Sequence, residues 1–382
     1  MSARAGAGIA AGDEGVDGFA EAAARAALGL GGGPCQLALV FASPANLDHA
    51  AEGLDAVHER LHPEALVGCG AQGVVGSGRE LERGGVAVWA ASLPEADVEP
   101  FHVEVAPAGE GLVVTGVPDL DGMDAAILLA DPYTFPAEPL LAQLSEARPG
   151  LPVVGGMASG DSGGAGLLYG GQAVAGGAVG VSLRGTSVRA CVSQGARPVG
   201  PEMTVTAGEG NVIAELASEP AVERLKHAVS ELDADEQMQA GRGLLIGVVT
   251  DPNKPEYGPG DFLVRGIVGA DEETGALTVG TRVRVGQTVQ LQVRDAAAAH
   301  EDLTEALDRE ASALGRPPAG ALLFTCNGRG SGMFGIPDHD AQAVAEAFSN
   351  APTGGFFCAG EFGPVGDRNF VHGFTATLAV FP

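Results

Sequence analysis

Apolar residues in this chain come in short runs bounded by glycine and proline, and some runs are separated by stretches with apolar positions three and four residues apart. The first pattern predicts strands and the second helices. Three segments follow one order. The first runs CQLALVF (Cys35–Phe41), a helical NLDHAAEGLDAVHERL (Asn46–Leu61), ALVGCGAQGVVG (Ala65–Gly76) and GGVAVWAASL (Gly84–Leu93). The second runs DAAILLADPYTF (Asp124–Phe135), EPLLAQLSEA (Glu138–Ala147), PVVGGMASG (Pro152–Gly160) and GGAVGVSL (Gly176–Leu183). The third runs GALLFTCNGRG (Gly320–Gly330), DAQAVAEAFSN (Asp340–Asn350), GGFFCAGEFG (Gly354–Gly363) and HGFTATLAVF (His372–Phe381).

Each segment reads strand, loop, helix, strand, glycine-rich turn, strand. The last two strands of each are close enough in sequence to pair with each other. A weaker fourth segment spans Leu244–Asp295, with strand patterns but no clear helix. The expected fold class is therefore α/β (α+β). Duplicated β-α-β-β units would form largely antiparallel or mixed sheets flanked by helices, in two similar halves. Residues 1–30 are expected to be a flexible segment with a short helix at Phe19–Leu28. Residues 31–220 and 221–382 would be the two domains, and Val188–Leu232 supplies the connector.

Composition narrows the function. The net charge is −28 and aromatic residues are 5%, with Trp89 the single tryptophan. That balance argues against nucleic acid and anionic membrane surfaces as partners. No run approaches the roughly 20 apolar residues of a membrane span. The five cysteines form no C-x-x-C pair, which fits reduced thiols and a cytoplasmic location.

The glycine turns GCGAQG, GGMASG and CAGEFG either pack repeats together or approach a ligand closely. The chain has no G-K-[ST], so a phosphate loop is disfavoured.

The richest chemistry lies in the third segment. LLFTCNGRG followed by GGFFCAGEFGPVGDRNFVHGFTATLAVF resembles a C-terminal FIST domain. ALVGCGAQGVVGSGRE and LPVVGGMASG resemble the N-terminal FIST domain, and the likeness extends from about residue 33 to the end. No F-box, kinase or cyclase segment accompanies it, which suggests a stand-alone FIST protein. The resemblance implies a sensory, signal-transduction module that binds a small ligand such as an amino acid and acts through a signalling partner. It implies no cofactor.

The candidate ligand-binding residues are Cys326, Asn327, Arg329, Cys358, Glu361 and Arg368. Two neighbouring turns would bring them together. Arg329 offers a planar donor fork to a carboxylate. Glu361 offers the anion for an ammonium, unless these two simply pair with each other. Cys326 is either a small buried residue or a nucleophile, the latter requiring a base within reach. His339 and His372 are the nearby candidates in sequence, and Asp338 is placed as a helix N-cap. No metal-binding spacing links Cys326, His339, Cys358 and His372. Two other classes stay open: an enzyme using Cys326, and an interaction scaffold with no ligand.

Overall fold

A computed structural model of the chain describes residues 2–109, 111–160, 166–258 and 260–382. The fold is α/β with mixed and antiparallel sheets, as the pattern predicts. Contacts divide it into two compact units. One comprises Met1–Val192, Leu303–Val371 and Thr375–Pro382; the other comprises Ser193–Asp302 and His372–Phe374.

The larger unit holds all three repeats, each built on one plan. In repeat I, Leu37–Ala42 runs parallel to Ala65–Gly70, with the helix Ala50–Leu61 crossing between them. Repeat II does the same with Ala125–Ala130, Val153–Met157 and helix Ala137–Ala147. Repeat III does so with Gly320–Cys326, Thr353–Cys358 and helix His339–Ala347.

The last strand of each repeat does not pair with the second, as sequence proximity suggested. It lies antiparallel to the first: Val86–Ser92, Ala178–Arg184 and Thr375–Phe381 take that place. A crossover helix already leads from the first strand to the second, so the chain returns on the first strand's free side.

The glycine turns explain what lies between. After its second strand, each repeat sends a hairpin into a different repeat. Val74–Gly76 of repeat I pairs with Thr353–Cys358 of repeat III. Leu167–Tyr169 of repeat II pairs with Ala65–Gly70 of repeat I. Glu361–Val365 of repeat III pairs with Val153–Met157 of repeat II. The exchange is cyclic, and the turns are where the chain changes sheets. Gly156 illustrates the tolerance: a Cβ there would fall 2.5 Å from Cys358 Sγ and 2.9 Å from Gly360 O.

Strand alternation sets two layers of core. Leu37, Leu39 and Phe41 share a central cluster with Ile127, Leu129, Leu322 and Phe324 from the other repeats. Trp89 joins it, packs on Phe381 and donates Nε1–H to Pro352 O at 3.1 Å. The alternate residues face helices: Ala38 and Val40 lie under Val16–Leu30 and Ala50–Leu61.

Residues 1–30, expected to be a flexible segment, are part of this core. Arg4–Ala10 pairs along its whole length with Val86–Ser92. The helix Val16–Leu30 buries Phe19, Ala22, Ala23 and Ala26 on that sheet.

The smaller unit contains the segment Leu244–Asp295. It lacks the parallel pair and crossover helix of the other repeats. Its strands Leu244–Val249, Phe262–Asp271, Ala276–Val279 and Thr288–Arg294 are antiparallel throughout. Ala196–Glu209 pairs with Thr288–Arg294 on one side and with Val212–Leu216 on the other, which closes the sheet into a barrel. Two helices accompany it, and Asp233 opens the second with a capping box to Glu236. Asp295 accepts from Arg197 at 3.4 Å, and Arg265 Nη1 donates to Val264 O at 3.0 Å.

Candidate functional site

The first strand of repeat III ends at Cys326, and the next residues turn sharply. Arg329 N–H donates to Cys326 O at 2.9 Å, and Asn327 N–H donates to Cys358 O at 2.9 Å. Gly330, at φ 76°, then opens the short helix Ser331–Phe334. Its first N–H and hydroxyl both bind Glu82, at 2.7 and 3.0 Å, a carboxylate brought by repeat I. This turn folds Arg329 inward until it is 3% exposed.

Arg329 finds Asp340 there, not Glu361. Nε lies 2.7 Å from Oδ2 and Nη2 lies 2.9 Å from Oδ1, a fork-to-fork pair. Thr325 Oγ1 donates to Oδ2 at 2.7 Å, and His339 Nδ1 lies 2.9 Å from Oδ1. A carboxylate accepts, so Nδ1 carries the proton. Burial raises the Asp340 carboxyl, but the charge and hydrogen bonds of Arg329, with hydrogen bonds from His339 and Thr325, outweigh it and hold it below the usual range.

His339 stacks on Phe334 with ring centroids 3.4 Å apart, and the Arg329 guanidinium sits 5.1 Å from the same ring. Asp338 does not cap the helix with its side chain. Its Oδ1 accepts the Glu80 N–H at 2.6 Å. Glu80 itself receives Ala341 N–H at 2.9 Å. Burial and the neighbouring Asp340 charge push the Glu80 carboxyl up to about 7.

Glu361 opens the exchanged hairpin and is fully buried. Thr375 donates both N–H and O–H to Oε2, at 3.2 and 2.7 Å. Burial pushes its carboxyl up to about 8, against the opposing Thr375 bonds, the Arg329 charge and a hydrogen bond from the Cys326 thiol. Three buried polar atoms in this cluster have no hydrogen-bond partner among the described residues: Glu80 Oε2, Arg329 Nη1 and Glu361 Oε1.

The structure thus gathers Cys326, Arg329, Cys358 and Glu361. Cys358 is the register partner of Cys326 on the parallel strand. Burial holds the Cys358 thiol well above its ordinary value, and the Glu361 charge adds to that. Asn327 contributes its backbone but is itself exposed. Arg368 does not belong. It is exposed at the turn end of the hairpin, with Glu361 at the opposite end of the paired strand, roughly 13 Å away along a strand rise of ~3.3 Å per residue. His339 serves Asp340.

Sequence reasoning missed Asp340, Glu80 and Thr375. Asp340 had a local signal, a second acidic residue beside His339 at a helix start. Glu80 and Thr375 had none, because each arrives from a distant strand. Among the described residues, no three His, Cys, Asp or Glu side chains converge as metal ligands.

The third repeat's turn and hairpin are also the stretch with the most distinctive sequence. Residues 36–219 match the FIST N domain and residues 221–364 match the FIST C domain. The chain belongs to the FIST family. FIST domains are sensory domains of signal transduction. An uncharacterised protein of Mycobacterium tuberculosis is 46% identical over 366 residues, covering 95% of each chain. One from Mycobacterium bovis is 42% identical over 382 residues, 99% of this chain and 98% of its own. No helix among the described residues is long and apolar enough to cross a membrane.

Proposed function

We propose that this FIST protein is a sensor whose repeat III cluster binds a small carboxylate, with amino acids the leading class. The reading rests on two of the orphaned atoms, Arg329 Nη1 and Glu361 Oε1. Leaving a buried polar atom without a hydrogen bond costs ~1–3 kcal/mol. A ligand that satisfies both recovers that cost. Arg329 Nη1 is the donor for a carboxylate oxygen, Glu361 is the second contact, and Cys326 forms the accessible wall. Asp340 keeps Arg329 in place rather than meeting the ligand.

The raised carboxyl of Glu361 divides the ligand classes. At pH 7 the empty site holds Glu361 largely as the neutral acid. A simple carboxylate accepts its proton in a hydrogen bond and displaces nothing. An ammonium group needs the carboxylate, so an amino acid expels close to one proton on binding.

The test is a thermal-shift screen of amino acids and simple carboxylates, on wild type and Glu361→Gln. Ligand at about a hundred times its Kd stabilises by ~2.7 kcal/mol. A shift present in wild type and reduced in the folded variant supports the site. Calorimetry in buffers of different ionisation enthalpy then counts the protons released. A panel that moves neither protein sinks the proposal.

A second reading has its own observation, the approach of the partly exposed Cys326 to Glu361. A carboxyl raised toward the range of a thiol is a matched proton acceptor for it. The enzyme reading then takes Cys326 as nucleophile and the ionised fraction of Glu361, rather than a histidine, as base, so its rate should rise with pH toward 8. Stoichiometric acylation of Cys326 by an activated ester, with turnover lost in Glu361→Gln, would favour it.

A further inference from the structure

The three repeats differ in what covers their outer faces. In repeat I, two helices lie there: the crossover helix, and Val16–Leu30 over the outermost strands Arg4–Ala10 and Val86–Ser92. Repeat III again has two. Leu303, Ala306 and Leu307 of the helix Ala296–Leu314 pack on Cys191, Ala376 and Leu378, beside the crossover helix. In repeat II the strand corresponding to Arg4–Ala10 is Asp97–Ala108, which pairs antiparallel with the repeat's last strand in the same way. Among the described residues, the crossover helix Ala137–Ala147 is the only helix packed on that face.

The segment leading to Met123 covers part of the gap and leaves a cavity of about 20 Å³. Phe101, Val103, Leu120, Leu128 and Leu144 line it, with Val117 at its edge, and no polar surface faces it. The apolar strip continues outward. Residues alternate along the hairpin, so Phe101, Val103, Val105 and Pro107 share one face. Val114 and Leu112 stand opposite the last two and extend that face. Leu112 is 55% exposed and Val117 40%.

We propose that this face of repeat II is a docking groove for a cationic amphipathic helix of a partner protein. The fold itself shows the shape of the occupant, because the same position in repeats I and III holds a helix. The exposed apolar strip of Leu112 and Val117 is the surface it would cover. Charge selects the partner over a second copy: at −28, two chains repel each other, while a basic helix is drawn in. The proposal is independent of the ligand reading, since it uses none of those residues.

Two labelled 18-residue peptides test it by fluorescence anisotropy at physiological salt. One carries leucines in a single helical stripe with lysines elsewhere; the other has the same composition with the stripe scrambled. The striped peptide is expected to bind at least tenfold more tightly. Leu112→Glu and Val117→Glu, both at exposed positions, should each weaken it at least tenfold, while Leu28→Glu, also exposed but on the helix Val16–Leu30 of repeat I, leaves it unchanged. In the wild type, hydrogen exchange should slow in Phe101–Ala108 and Ala137–Ala147 when the striped peptide saturates. Equal binding of the two peptides, or no protection in those segments, overturns the proposal. So does self-association in sedimentation that Leu112→Glu abolishes, which would assign the face to a second copy.

Discussion

Arg329 and Asp340 form a two-point ion pair in which neither side chain reaches solvent, at 0% and 1% exposure. Desolvating two ions is expensive, so such a pair contributes little over a well-packed apolar substitute, yet losing one partner strands the other charge. Asp340→Asn is therefore expected to cost about 3 kcal/mol. Urea unfolding followed by Trp89 fluorescence measures it, since Trp89 links repeats I and III. The double variant Arg329→Met, Asp340→Leu should lose less than Asp340→Asn alone. An unchanged urea midpoint in Asp340→Asn would mean the pair holds nothing.

The carboxylates around this pair set a pH dependence with a definite sign. Glu361 and Glu80 are raised from 4.5 to about 8 and about 7. Between those values the folded state keeps protons that the unfolded chain has released. Stability conferred by these protonated groups is complete below the unfolded value and falls as pH rises, by up to ~1.4 kcal/mol per pH unit for each group. Asp340 acts oppositely. Its lowered carboxyl contributes fully above the unfolded value and is lost only in acid. The urea midpoint of Glu361→Gln should thus fall less steeply than that of wild type from pH 5 to 8. Parallel slopes would contradict the buried, protonated Glu361.

Thiol reactivity offers a separate check on the mouth of the site. Of the five cysteines, only Cys326 is partly exposed. Burial pushes Cys35 up to about 12 and Cys69 well above its ordinary value. Iodoacetamide should modify one cysteine per native chain and five after denaturation. Cys326→Ser should reduce the native count to zero. Labelling of a second native cysteine would show that the repeat junctions open.

The cyclic hairpin exchange is tested at Gly156. Its Cβ would strike Cys358 Sγ and Gly360 O. Gly156→Ala should destabilise by about 3 kcal/mol, at the upper end of overpacking costs. Adding Cys358→Ala should recover part of that loss by removing one of the two collisions. A neutral Gly156→Ala would argue that the hairpin of repeat III does not lie against repeat II as described.

Much of this protein is written in local patterns. The runs LALVF, AAILL and ALLF, each followed by a helical spacing and a second apolar run, mark a strand, a helix and a strand in each of three repeats, because period and length alone distinguish strand from helix there. CNGRG and CAGEFG likewise mark two turns dense in polar groups, and the structure brings Arg329, Glu361 and Cys326 into one cluster. Tertiary structure decided the rest. A three-residue strand such as Val74–Gly76 has no local property that names its partner, so only the assembled repeats could send it to Thr353–Cys358. The pattern likewise gave no reason to place Arg4–Ala10 at a sheet edge. Arg329 is followed by several acidic residues, Asp338, Asp340, Glu346 and Glu361 among them. The choice of Asp340 over Glu361 followed from where the helix His339–Ala347 starts in space, since ion pairing depends on distance and burial rather than on order along the chain.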